Sequence, residues 1–134
     1  MQEAVELARS AVERWNAGDL DAVYADWDPE IVVRPDSSFP DAGELCGVPA
    51  ARRFLEDQRE FMGPGRLEIL EAHDLAERCL LRIRQNVEAP ASGVRSSYDW
   101  SILSTARAGK ITRIEFFIDR EQALAVAGVL RADR

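Results

Sequence analysis

Histidine, cysteine and lysine are scarce in this chain: there is one histidine, His73, one lysine, Lys110, and two cysteines, Cys46 and Cys79. A lone histidine cannot build a multi-histidine metal site and no Cys-x-x-Cys pair stands in for one, so no metal is expected. The two cysteines lie too far apart in the sequence to suggest a disulfide framework and read as free buried thiols. No run of eighteen apolar residues occurs, which argues against a membrane-spanning helix. The opening MQEAVELARS lacks the basic start and apolar stretch of a secretion signal, and a cytoplasmic protein is the expectation. Positive charge is also short: the net charge is −7, which argues against a phosphate backbone or an anionic membrane as partner. Basic residues are nearly all arginine, a usage that points to a high-GC bacterial source. Gly63-Pro64-Gly65 is no phosphate loop, because it follows a helix and lacks the Lys-Ser/Thr that would reach a nucleotide. No cofactor is expected.

What is present is one domain's worth of sequence. The 134 residues, 46% of them hydrophobic, support a single core, and neither a repeat nor a low-complexity linker divides the chain, so residues 1–134 read as one domain. Val5, Ala8, Val12 and Trp15 recur at helical spacing over Glu3 to Ala17, and Gly18 ends that helix. Asp19 caps a second helix, Leu20 to Trp27, which Asp28-Pro29 breaks. Glu30 to Arg34 is a β-branched strand, followed by a polar loop from Pro35 to Gly47. A third helix starts near Pro49 and runs to Met62, with Ala51, Phe54, Leu55, Gln58, Phe61 and Met62 on its inner side. Four strands follow, Arg66 to His73, Arg78 to Val87, Val94 to Thr105 and Lys110 to Ile118, with turns at Asp74, Pro90 to Gly93 and Ala108-Gly109. A final helix runs from Asp119 to about Leu130. Helices first and an antiparallel run after them make an α+β pattern, in which a curved sheet bends around three N-terminal helices and encloses a cone-shaped cavity.

The order helix, helix, strand, helix, four strands resembles the SnoaL-like group of the nuclear transport factor two and ketosteroid isomerase superfamily. The resemblance rests on Asn16-Ala-Gly-Asp-Leu20, Asp28-Pro-Glu-Ile-Val-Val-Arg34, Gly47, the Ser92-Gly93 hairpin, and Gly109-Lys-Ile-Thr-Arg113 with Asp119-Arg-Glu-Gln-Ala-Leu124. It implies a cystatin-like, nuclear transport factor two-like fold with a short C-terminal helix, and a homodimer through the outer sheet face, where Arg113, Glu115 and Phe117 are expected. If the site is catalytic, the resemblance implies proton transfer of isomerase, polyketide cyclase or dehydratase type. The alternative is a non-catalytic carrier or interaction module whose site has degenerated. Fold membership by itself does not decide the chemistry.

The isomerases of this superfamily use a general-base carboxylate after the first strand and an oxyanion hole built from a helix-one tyrosine and a protonated strand acid. Here the tyrosine position falls at Ala11, and the base position at Arg34 or Pro35 with Asp36 just beyond. Alternation places Tyr98, Trp100, Ile102 and Ser104 inward, putting Ile102 where the acid would stand; Asp99 points outward unless a β-bulge reverses the strand. On the last strand Thr112, Ile114, Phe116 and Ile118 are expected inward, so Phe116 fills another acid position. Asp36 and Tyr98 remain the candidate catalytic residues. The candidate pocket is built from Trp15, Tyr24, Trp27, Arg34, Phe54, Trp100, Ile102 and Phe116, a set suited to a small hydrophobic molecule that is planar or bears a carbonyl. His73 reads as an exposed turn residue, Arg78, Arg82 and Arg84 as a solvated stripe, and Asp119 as a helix cap in an Asp-x-x-Gln capping box.

Overall fold

The computed structural model describes residues 3–39, 43–62, 65–88 and 91–129. In chain order the elements are α1 (Glu3–Asn16), α2 (Leu20–Ala25), β1 (Trp27–Arg34), β2 (Leu45–Cys46), α3 (Val48–Met62), β3 (Gly65–Leu75), β4 (Arg78–Glu88), β5 (Arg95–Arg107), β6 (Lys110–Phe117) and α4 (Arg120–Ala127). Ala4, Ala8 and Val12 are the buried face of α1, one residue per turn. Gly18 then adopts φ +78°, a left-handed value that costs glycine little. The Asp19 carboxylate accepts a hydrogen bond from the Ala22 N–H, which starts α2.

Several features differ from the sequence reading. Trp27 opens β1 instead of closing α2, because the proline two residues on cannot continue a helix. Leu45–Cys46 forms a two-residue strand inside the expected loop, too short to show any periodicity, and its place at the sheet's edge leaves Cys46 exposed where a buried thiol was expected, while Cys79 is buried. Phe61, expected on the inner side of α3, is 86% exposed. The expected helix stop at Gly63-Pro64, loop residues Pro40 to Ala42, the turn residue Pro90 and the helix residue Leu130 lie outside the described residues.

The six strands form one sheet in the order β2-β1-β6-β5-β4-β3. Neighbours are antiparallel except β1, which runs parallel to β6. That exception follows from the long connection between the two strands, since a parallel neighbour cannot be reached by a tight turn. On the inner face α1 packs on Leu67, Leu81 and Ile83, while α2, β1 and α3 gather around Ile31, Val33, Ile111 and Ile114. The outer face is not bare: α4 lays Ala123, Leu124 and Ala127 over Leu80, Leu103 and Phe117. Phe117, expected to belong to an outward interface, is therefore covered by the chain's own last helix.

A β-bulge sits between β5 and β6. Thr105 pairs with Arg113 and Ala106 with Ile111, leaving Thr112 as the extra residue, with its hydroxyl donating to the Thr105 carbonyl. The bulge puts Ile111 and Ile114 on the same inner face. Thr112 is thus not the inward residue that simple alternation predicts. Because the bulge lies beyond Ser104, the inward set of β5 keeps the alternation read from the sequence.

Candidate functional site

The inner face of β3 to β6 is one wall of a cone, and α1, α3, Val23 of α2, Trp27 of β1 and the loop after β1 supply the rest. Cross-strand register stacks the wall in rows: Leu67, Gln85 and Tyr98 lie side by side near the mouth, Leu81, Ile102 and Phe116 further in. Together these walls enclose a cavity of about 500 Å³. Tyr98 and Ile118 are about half exposed at its opening, whereas Ser104 and Ile111 at the far end are buried.

The lining is mostly ring and aliphatic surface. Trp15 comes from α1, Trp27 from β1, Phe54 from α3, Trp100 and Ile102 from β5 and Phe116 from β6. Four rings form a continuous series: Phe39 to Phe54 at 5.8 Å, Phe54 to Phe116 at 6.4 Å and Phe116 to Trp100 at 5.2 Å between centroids. Tilted and edge contacts at these separations suit aromatic quadrupoles, and leave ring faces available to a flat guest.

Asp36 and Tyr98 both reach this cavity. The Asp36 side chain is tied down: one carboxylate oxygen accepts from the Ser38 N–H and the other from the Ile118 N–H, each at 2.9 Å. Burial pushes its carboxyl pKa up, but the hydrogen bonds from Ser38 and Ile118 outweigh burial and hold it below the ordinary value. A carboxylate held low in pKa is a weak proton acceptor.

Two residues expected in the pocket stand elsewhere. Tyr24 is buried behind the wall, edge-on to Trp27 at 4.8 Å, with the Arg52 guanidinium over its ring at 4.6 Å. Burial, then the neighbouring Glu56, raises its phenol pKa above the ordinary range, while its hydroxyl finds no hydrogen-bond partner of normal geometry. Arg34 turns away because Ile31 and Val33 take the inner side of β1. Its guanidinium is half exposed beside Glu115 at 3.8 Å, on a shallow cleft shared with Glu44. Asp99 faces outward onto Arg84, which donates to it at 2.9 and 3.0 Å, although its edge also touches the cavity mouth.

The structure adds wall residues that were not identified as site residues from the sequence: Arg59 from α3, Gln85 from β4 and Phe39 from the loop after β1. Gln58, expected on the inner side of α3, is beside Arg59. Arg59 stands four residues after Leu55, so the helical stripe already pointed to it, but an arginine late in a helix reads as solvated. Its guanidinium lies over the Trp15 ring at 4.8 Å. Trp15 Nε1, Trp100 Nε1 and Arg59 Nη1 are buried with no hydrogen-bond partner. The side chains of Gln58, Gln85 and Ser104 also make no hydrogen bond among the described residues. Among those residues no cluster of metal-ligating side chains occurs, and no helix is long and apolar enough to cross a membrane.

Residues 8–114 match the family model described as a SnoaL-like domain. Among solved structures the chain is similar to a nuclear transport factor two-like protein of Burkholderia pseudomallei, with 17% identity, a TM-score of 0.76, and coverage of 95% of this chain and 98% of that one. It is similar as well to a Mycobacterium tuberculosis protein in complex with estradiol-17beta-hemisuccinate, at 16% identity and TM-score 0.73, covering 90% of this chain and 97% of that one. A third similar structure is TerC co-crystallized with polyporic acid, at 18% identity and TM-score 0.74, covering 94% and 98%. At such identities the likeness establishes the fold alone. Comparison with curated proteins yields no match.

Proposed function

The chain belongs to the SnoaL-like domain family, and on that premise we propose that it binds a flat, mostly apolar small molecule in the cone. The observation that carries this reading is the cavity of about 500 Å³ walled by Trp15, Phe54, Trp100 and Phe116. That volume lies within the ordinary range for small-molecule sites, and an apolar lining with a few unpaired polar groups is their usual chemistry. Two similarly folded proteins crystallised with a steroid ester and with polyporic acid lend support by analogy.

Binding is proposed ahead of proton transfer because the candidate base is already engaged. Both Asp36 oxygens accept backbone N–H groups, and the resemblance to related isomerases and cyclases puts Ala11, Ile102 and Phe116 at the positions of their phenol or acids. Turnover of a bound compound that Asp36→Asn abolishes, with binding retained, would reverse that order.

A thermal-shift screen of steroids, aromatic polyketides and fused-ring aromatic acids tests the proposal. A true ligand at one hundred times its dissociation constant stabilises the native state by about 2.7 kcal/mol, which is a saturable rise in melting temperature of several degrees. If no compound in the panel shifts the wild-type protein, the binding reading fails.

A further inference from the structure

We infer that the ligand carries an anionic head, a carboxylate or phenolate, and that the Arg59 guanidinium receives it. This rests on the binding reading above and narrows its ligand class.

Among the described residues three acidic or basic side chains reach the cavity: Asp36, Asp99 and Arg59. The two carboxylates are satisfied, Asp36 by the backbone amides of Ser38 and Ile118 and Asp99 by the two-pronged grip of Arg84. Arg59 has no carboxylate partner among the described residues. One of its terminal nitrogens, Nη1, is buried without an acceptor. Guanidinium and indole groups can only donate, and Trp15 Nε1 and Trp100 Nε1 are likewise buried donors without partners. The buried polar atoms of the wall that lack a partner are therefore all donors, whereas Gln58, Gln85 and Ser104 can donate as well as accept. An acceptor-rich molecule corrects that imbalance, and one bearing a negative charge corrects it most, because charge-assisted hydrogen bonds to a guanidinium are roughly twice as strong as neutral ones.

Arg59 is also held in position for this task. Its guanidinium lies on the Trp15 indole at 4.8 Å, and such stacking keeps the planar fork from swinging freely. A guest would lay its rings along the Phe54, Phe116 and Trp100 series and extend its charged end to Arg59. The protein's net charge of −7 gives no long-range attraction for such a ligand, so the preference must arise locally, at this one cation.

The test is a matched pair of fluorescent probes, 1-pyrenebutyrate and the neutral 1-pyrenebutanol, titrated against the full-length protein. Wild type is expected to bind the acid about tenfold more tightly than the alcohol, the scale of one charge-assisted hydrogen bond. Arg59→Gln removes that preference, so that the acid and the alcohol bind with affinities within about twofold of each other. Arg59→Lys retains part of it, and Arg53→Gln, an exposed control on the same helix, retains all of it. In wild type, added salt weakens the acid and not the alcohol, a readout that needs no variant to fold. Equal affinity for the two probes, or a preference that survives Arg59→Gln, overturns the inference while leaving the binding reading intact. If neither probe binds wild type, the inference falls together with the cavity reading.

Discussion

Asp36 shows how one side chain can hold the edge of a site. It caps its own turn through the Ser38 N–H and reaches the Ile118 N–H at the end of β6, 82 positions away in sequence. Replacing it with Asn turns one acceptor oxygen into an amide that faces a backbone donor. Asp36→Asn is expected to cost about 1–3 kcal/mol in urea unfolding at neutral pH. The pH dependence has a definite sign. The folded pKa lies below the ordinary 3.8, so the stabilisation is fully present above that value and is lost as pH falls through the folded pKa. The melting-temperature gap between wild type and Asp36→Asn is therefore wide at neutral pH and narrows as the pH falls below about 4; a gap that widens in acid would contradict the assignment. The sequence offered Asp36 as a candidate base, although an aspartate before Ser-Ser suits a turn equally well. It could not show which, because the deciding partner is the distant Ile118 amide. Arg34 and Tyr24 were misplaced for a related reason: alternation in β1 sets Arg34 outward, and Tyr24 packs one layer behind the wall.

At the level of elements, α4 illustrates a boundary read correctly with a role read incompletely. Asp119 caps the helix by accepting the Glu121 N–H at 3.1 Å, and Gly128 closes it with φ +76°. The return contact from Gln122 that a full capping box would need is not formed among the described residues. Asp119→Ala is expected to cost about 1 kcal/mol of unfolding free energy, the usual value for a lost cap. Because α4 covers the outer face, over Leu80 and Leu103, ligand affinity in the inner cone should stay unchanged. Chemical denaturation paired with the probe titration measures both. The helices and long strands were visible in the sequence because apolar spacing and Gly, Pro and Asp punctuation are local. The parallel β1–β6 pair and the short β2 were not, since each depends on where a distant strand comes to rest.

Across the whole molecule, the core is divided. One inner cluster lies under α1 and another under α3, and the cavity opens between walls drawn from both. That space withholds packing from its lining side chains, a cost that a protein bears where function requires the room. Ala11, on the cavity wall, is the place to fill it. Ala11→Leu is expected to stabilise the protein by about 0.5–1 kcal/mol, as cavity filling commonly does, and to weaken pyrenebutyrate binding by about tenfold. A melting curve and a titration on the same variant decide it, and unchanged affinity would place the ligand elsewhere.

Local physics was enough to establish an α+β fold, the order of its helices and long strands, the inward run of Tyr98, Trp100 and Ile102, and the capping role of Asp119. Each of these depends on side-chain period or turn chemistry within a few residues, which the chain displays directly. Tertiary structure alone decided which polar groups stay unpaired in the cone. Asp36 and Asp99 find hydrogen-bond partners and Arg59 Nη1 does not, because hydrogen bonding is settled by which groups the folded backbone brings within about 3 Å. That distance has no counterpart in sequence separation, and so the cation that distinguishes this pocket came into view only once the sheet had closed around it.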